Sequence, residues 1–181
     1  YPSNVHSPEI GGSNRSVIAD ALRPGASADL DMRSRWVDAL PRILSDRLIV
    51  TPRDADRLFC LELRTGKELW SLPRGTFHQV AWADEERIII AGGHRLMCVS
   101  AQTGDTLWRS ELAQGQVSGT SASDGRILQV PTTAGTILTL DIVTGRILVQ
   151  QSTGSHIPGN LISTGEALYS QTLTDVHCLT G

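Results

Sequence analysis

The chain has 181 residues, 40% of them hydrophobic and 19% charged, which is enough for one domain with a sizeable core. Its formal net charge is -3 and its sequence pI about 5.9, so it carries no basic field for a nucleic-acid backbone. Its longest apolar runs, such as Ile88-Ile89-Ile90-Ala91, fall far short of the roughly 18 residues that a membrane-spanning helix needs.

The chain opens at Tyr1 rather than Met and reads as a processed or cut piece, with any targeting segment upstream. Residues 1–29 are rich in Ser, Gly, Asn and Pro and read as loop or tail. Residues 32–37 suit the outer strand of a preceding blade, with Trp36 in the place that Trp70 takes later. The segment 1–39 therefore stands apart from the repeats that fill 40–181.

From there four landmarks recur in step. A turn before a β-rich run falls at Asp46-Arg47, Glu86-Arg87, Gly125-Arg126 and Glu166-Ala167, spaced 40, 39 and 41 residues apart. A strand position is held by Cys60, Cys98, Thr139 and Cys178, spaced 38, 41 and 39. Thr65-Gly66, Thr103-Gly104 and Thr144-Gly145 form a turn spaced 38 and 41. Four residues after each Gly stand Trp70, Trp108 and, in the third copy, Val149. A period of about 40 residues is one that propellers use.

Each repeat reads as four short strands bounded by Gly, Asp, Thr and Pro, and no stretch keeps a helical period for three turns. In the second copy the strands are expected at 78–83, 87–91, 95–100 and 106–110. The fold class is thus all-β: a β-propeller of four-stranded antiparallel blades near 42–70, 78–110, 117–150 and, in part, 157–181. A closed ring takes roughly 4–8 blades, so about three full blades read as part of a larger propeller. A lone blade exposes both sheet faces, and the blades must stack to bury them. Gly in the Thr-Gly turn supplies the positive φ of a tight hairpin, and the Thr hydroxyl can bond the local backbone. Trp70 and Trp108 are expected to be largely buried on an adjacent blade near such a turn.

The segments CLELRTGKELW (60–70), CVSAQTGDTLW (98–108) and TLDIVTGRILV (139–149) resemble the tryptophan-docking motif A-x-D-x-x-T-G-x-x-x-W. That motif marks the pyrroloquinoline-quinone-type (PQQ-like) β-propeller repeat. The resemblance spans roughly residues 42–179. It implies either a cofactor-free propeller, such as the BamB-type outer-membrane assembly lipoproteins and kinase sensor domains, or a quinoprotein alcohol dehydrogenase. It also implies an extracytoplasmic, periplasmic setting. The sequence departs from the motif with Cys in the Ala place, Glu62 and Ser100 in the Asp place, and Val149 in the third Trp place.

Chemistry-bearing residues are sparse. The three cysteines form no Cys-x-x-Cys pair and sit at equivalent positions a blade apart, so they read as small buried hydrophobes. His78, His94 and His156 fall on one rim but lack metal-ligand spacing. Asp84-Glu85-Glu86 sits on a solvated turn, and no nucleophile elbow, P-loop or His-Glu-x-x-His occurs. The leading reading is a non-catalytic binding or scaffold module for a protein partner, needing no cofactor. Its binding face is expected where the inter-blade connections emerge, with Arg74, Phe77, His78, His94, Gln116, His156 and Asn160. The second reading is a fragment of a quinoprotein dehydrogenase, which would require PQQ and calcium.

Overall fold

The structure, a computed structural model, describes residues 40–179. Its strands form four antiparallel sheets in chain order. The first holds β1 (Arg42–Leu44), β2 (Arg47–Val50), β3 (Arg57–Glu62) and β4 (Glu68–Pro73). The second holds β5 (Gln79–Ala83), β6 (Arg87–Gly92), β7 (Arg95–Ser100) and β8 (Thr106–Glu111). The third holds β9 (Ala122–Ser123), β10 (Ile127–Thr132), β11 (Thr136–Asp141) and β12 (Ile147–Ser152). The fourth holds β13 (Asn160–Ser163), β14 (Leu168–Gln171) and β15 (Val176–Leu179). Within each sheet the strands lie side by side in sequence order, which is the up-and-down meander of a propeller blade. No helix occurs among the described residues. Together they make an incomplete all-β propeller.

The second blade follows the strand limits read from its sequence to within a residue at each end. The third does not. Its first strand shrinks to Ala122–Ser123, preceded by a single bridge between Val117 and Thr132. The backbone there is committed across the seam instead. Gln79 Nε2 donates to the Gly119 carbonyl at 2.9 Å, and the Thr120 amide donates to Asn160 Oδ1 at 3.0 Å. First strands therefore stand close together at the inner edge, while fourth strands lie outermost in their sheets.

Alternation decides which blade each side chain meets. Ile88 and Ile90 join Ile49, Leu58, Cys60 and Val99 between the first two blades. Ile89 and Ala91, one step out of phase, join Leu96, Cys98, Leu128, Val130 and Leu140 between the second and third. Strands buried on both faces carry unbroken apolar runs for this reason. The third seam is smaller, built on Ala122, Ile137 and Leu161. Cys60 and Cys98 are fully buried, as expected of small hydrophobes, and burial pushes the Cys98 thiol up to about 11. Cys178 is exposed instead, because it and Val176 lie on the opposite side of β15 from Leu179, which packs toward the third blade.

The Thr-Gly turns repeat in detail. Gly66, Gly104 and Gly145 each donate their amide to the carbonyl four residues back at 2.8 Å, to Glu62, Ser100 and Asp141. Their φ values are +69°, +77° and +69°. Thr65, Thr103 and Thr144 each accept the amide of the residue two ahead on their hydroxyl, at 3.2, 3.3 and 3.3 Å. Trp70 lies over Gly104 of the next blade, where an added Cβ would stand 2.9 Å from its Cδ2, and donates from Nε1 to the Ala101 carbonyl at 3.2 Å. Trp108 does the same to Gly145 and to the Ile142 carbonyl at 2.9 Å. Both indoles sit on fourth strands and are partly buried. Val149 does not take such a place and is 55% exposed. Residues 32–37, with Trp36, lie outside the described residues.

Two consequences are testable. Trp70→Ala or Trp108→Ala should lower stability by about 2–4 kcal/mol, less than full core truncation, measured by denaturant unfolding. Gly66 and Gly145 share φ +69°, yet a Cβ at Gly66 would meet nothing within 4 Å, whereas one at Gly145 would meet the Trp108 ring at 2.5 Å. Gly66→Ala should therefore cost only the left-handed backbone term of about 1–2 kcal/mol, and Gly145→Ala distinctly more. The excess should shrink when Trp108→Ala is combined with Gly145→Ala; equal costs at the two glycines would show that the indole does not rest on the turn.

Candidate binding surface

The connection face is the end of the stack where strand two turns into strand three and one blade passes to the next. The two loop types are stitched together there. The Arg74 amide donates to the Asp56 carbonyl at 3.0 Å, and the Leu112 and Val117 amides donate to the His94 and Gly93 carbonyls at 2.8 and 3.0 Å. Gly92 permits the first connection to lie flat on the end of β6, since a Cβ there would strike the Thr76 carbonyl at 2.5 Å and Phe77 Cα at 2.6 Å.

The residues expected on this face fall into three clusters, one at each seam, and do not converge on a single pocket. At the first seam Arg74 is largely covered. Its Nε stands 3.2 Å from Asp56 Oδ1, and its guanidinium also donates to the Phe77 carbonyl at 3.4 Å. Phe77 packs against the core of the first two blades. His78 is partly buried. Burial and then the Arg74 guanidinium hold it below the ordinary imidazole value of 6.5. At the second seam His94 and Gln116 are both exposed and lie together, with His94 Nε2 and Gln116 Nε2 3.4 Å apart and His94 Nδ1 2.5 Å from the Gly115 carbonyl. At the third, the His156 ring stacks on His177 of β15 with centroids 4.3 Å apart and planes 20° from parallel. Asn160 is exposed but holds the Thr120 amide.

The opposite face is built differently. Asp84 Oδ1 accepts the amides of Glu86 and Arg87 at 2.8 and 2.6 Å, and Asp124 Oδ1 those of Arg126 and Ile127 at 2.8 and 2.9 Å. Asp141 Oδ1 takes the Thr144 amide and hydroxyl at 2.7 and 2.8 Å. These bonds hold the Asp124 and Asp141 carboxyls below the usual carboxylate range. The side chains of Asp84, Asp124 and Asp141 are spent on shaping their own turns.

One feature is invisible in the repeat pattern. A cavity of about 520 Å³ opens between the first and second blades, lined by Leu72, Pro73 and Phe77 on one side and by Met97, Arg95 and Arg109 on the other. Leu72, Met97 and Arg109 are brought together only by strand pairing and blade stacking. Nothing in their local sequence marks them apart from other β-strand residues. Elsewhere, no three His, Cys, Asp or Glu side chains gather as metal ligands among the described residues.

Four-stranded meander blades, repeated Thr-Gly turns and indoles laid on the neighbouring turn define a β-propeller of PQQ-like repeats. The family of the outer membrane protein assembly factor BamB matches residues 26–160 and again 92–178, and the chain belongs to that family. Among solved structures it is similar to BamB from Moraxella catarrhalis, with 20% identity and TM-score 0.57 over 69% of this chain and 39% of that one. It is similar to the computationally designed Ika4 protein, with 16% identity and TM-score 0.62 over 77% of this chain and 88% of that one. It is also similar to the quinohemoprotein alcohol dehydrogenase ADHIIG from Pseudomonas putida HK5, with 16% identity and TM-score 0.54 over 67% of this chain and 21% of that one. These likenesses show the fold. The chain spans 39% of the BamB chain it matches. No curated protein sequence matches it.

The His78 environment sets a pH dependence. A histidine held below its unfolded value binds fewer protons folded than unfolded, so its contribution is intact above about 6.5 and is lost as pH falls below it. Thermal melting between about pH 7.5 and 5 should fall for the native chain and fall less for His78→Gln. Equal slopes would remove His78 from the account. The exposed Asp124 and Asp141 act only at lower pH, beneath their ordinary value of 3.8.

Proposed function

We propose that this chain is a non-catalytic, extracytoplasmic β-propeller module that binds a protein partner on its connection face and scaffolds an assembly without metal or quinone. The observation that carries the reading is the contrast between the two faces. The side chains of Asp84, Asp124, Asp141 and Thr144 on the turn face are engaged within their own turns, whereas the connection face offers the exposed pair His94 and Gln116. Loops held by a rigid sheet stack are where recognition residues concentrate. Membership of the BamB family supports an extracytoplasmic protein-interaction role over a free-standing enzyme.

Arg74 and His78 suit this reading as supports. Arg74 ties the first connection to Asp56, so reversing its charge would disturb stability before recognition. The direct probe is His94→Glu combined with Gln116→Ala, both exposed. Partner capture by the native assembly should drop at least about tenfold, which is about 1.4 kcal/mol, with melting unchanged. A change of charge at the turn-face Arg146 should leave capture as it was. Capture that follows Arg146 instead, or dye-linked alcohol oxidation that appears on adding PQQ and calcium, would overturn the proposal.

A further inference from the structure

The cavity between the first two blades lies beside an unpaired strand edge. β8 ends the order β5-β6-β7-β8, so among the described residues no strand pairs with its outer edge. Cross-strand pairing sets Met97 opposite Arg109 and Arg95 opposite Glu111. Met97 packs into the core shared with the first blade, so all four side chains share the face turned toward that blade. The cavity lies on that face, with Leu72, Phe77 and Met97 as its apolar lining. Its charge is unbalanced. Arg95 Nε is offset by Glu111 at 3.3 Å, whereas the contact shown for the exposed Arg109 guanidinium is a 3.4 Å bond to the Thr106 hydroxyl. A cation beside an apolar slot and a free strand edge asks for three things in one ligand: a carboxylate, a bulky apolar side chain and an extended backbone.

We infer that this groove receives an extended segment of a partner polypeptide that pairs with the outer edge of β8. Alternate side chains of the added strand face the first blade. One of them, Leu or Phe, enters the slot between Leu72, Phe77 and Met97, and a neighbouring Asp or Glu on the same face meets Arg109. Main-chain pairing supplies affinity, and the slot and the cation supply selection. This rests on the protein-binding reading above and gives it a second surface, on the outer side of the first seam.

The probe is a short fluorescein-labelled peptide alternating Asp with Leu and Phe, titrated with the chain and read by fluorescence anisotropy. It should bind saturably. Replacing its Asp by Lys should weaken binding at least about tenfold, and so should Arg109→Glu in the protein at unchanged melting temperature. Backbone N-methylation of the peptide should abolish binding, while Arg146→Glu should leave it intact. Absence of binding, equal affinity for the Asp and Lys peptides, indifference to Arg109→Glu, or displacement by octanoate as strong as by unlabelled peptide would each overturn the inference. The two readings fail separately. Loss of native-partner capture on His94 and Gln116 substitution, with no effect of Arg109→Glu on the peptide, removes the groove and keeps the connection face. The reverse pattern removes the connection face and keeps the groove.

Discussion

An indole resting on a glycine of the next blade is the contact on which the stack is organised. Trp108 can reach Gly145 only because that residue has no Cβ, and Gly145 is free to take φ +69° for the same reason. The contact is also polar, since each indole N–H is satisfied by a carbonyl three residues before the glycine, Ala101 for Trp70 and Ile142 for Trp108. One residue type thus sets the turn, the distance between sheets and the rotation of one blade against the next. The cysteine beneath each indole follows from it. Cys60 pairs with Trp70 and Cys98 with Trp108 across the third and fourth strands, and a small side chain fits there where a larger one would lift the ring.

The seams are consequently unequal. The first two combine an indole with a broad aliphatic core, whereas the third has Val149 exposed and a core built on Ala122, Ile137 and Leu161. Polar side chains fill part of the difference. A cleft of about 260 Å³ opens there, lined in part by Asp124, Gln129, Gln151 and Glu166, and the His156–His177 stack holds the connection-face end. The first seam differs in another way. Trp70 closes its turn-face half, and beyond that point Leu72, Phe77 and Met97 do not fill the outer space, which leaves the groove.

The two ends of the stack divide the chemistry between them. At the turn end, short side chains close Asx and Thr turns, and their bonding capacity is used up locally. At the connection end, the chain must cross from an outermost strand to the innermost strand of the next blade. That longer passage carries side chains whose partners are not dictated by a tight turn. Some became supports, as Arg74 did with Asp56, and others stayed open, as His94 and Gln116 did.

The repeat, its strands and its turns were legible in the sequence because they are local. A Thr-Gly turn, a run such as Ile88-Ile89-Ile90 and a Trp four residues past the glycine each reflect backbone geometry within a few residues, repeated at a period of about 40. Which residues stand on the connection face was also readable, since strand order alone fixes the end at which a loop emerges. What they do there was not. Arg74 and His78 look like free rim residues in the sequence, and their burial depends on Asp56 and on the end of β6, more than a dozen residues away in either direction. The exposure of Cys178, the shortness of β9 and the groove over Met97 belong to the same class. Each is set by the distance and angle between two sheets, a quantity that no single repeat contains and that only the stacked blades decide.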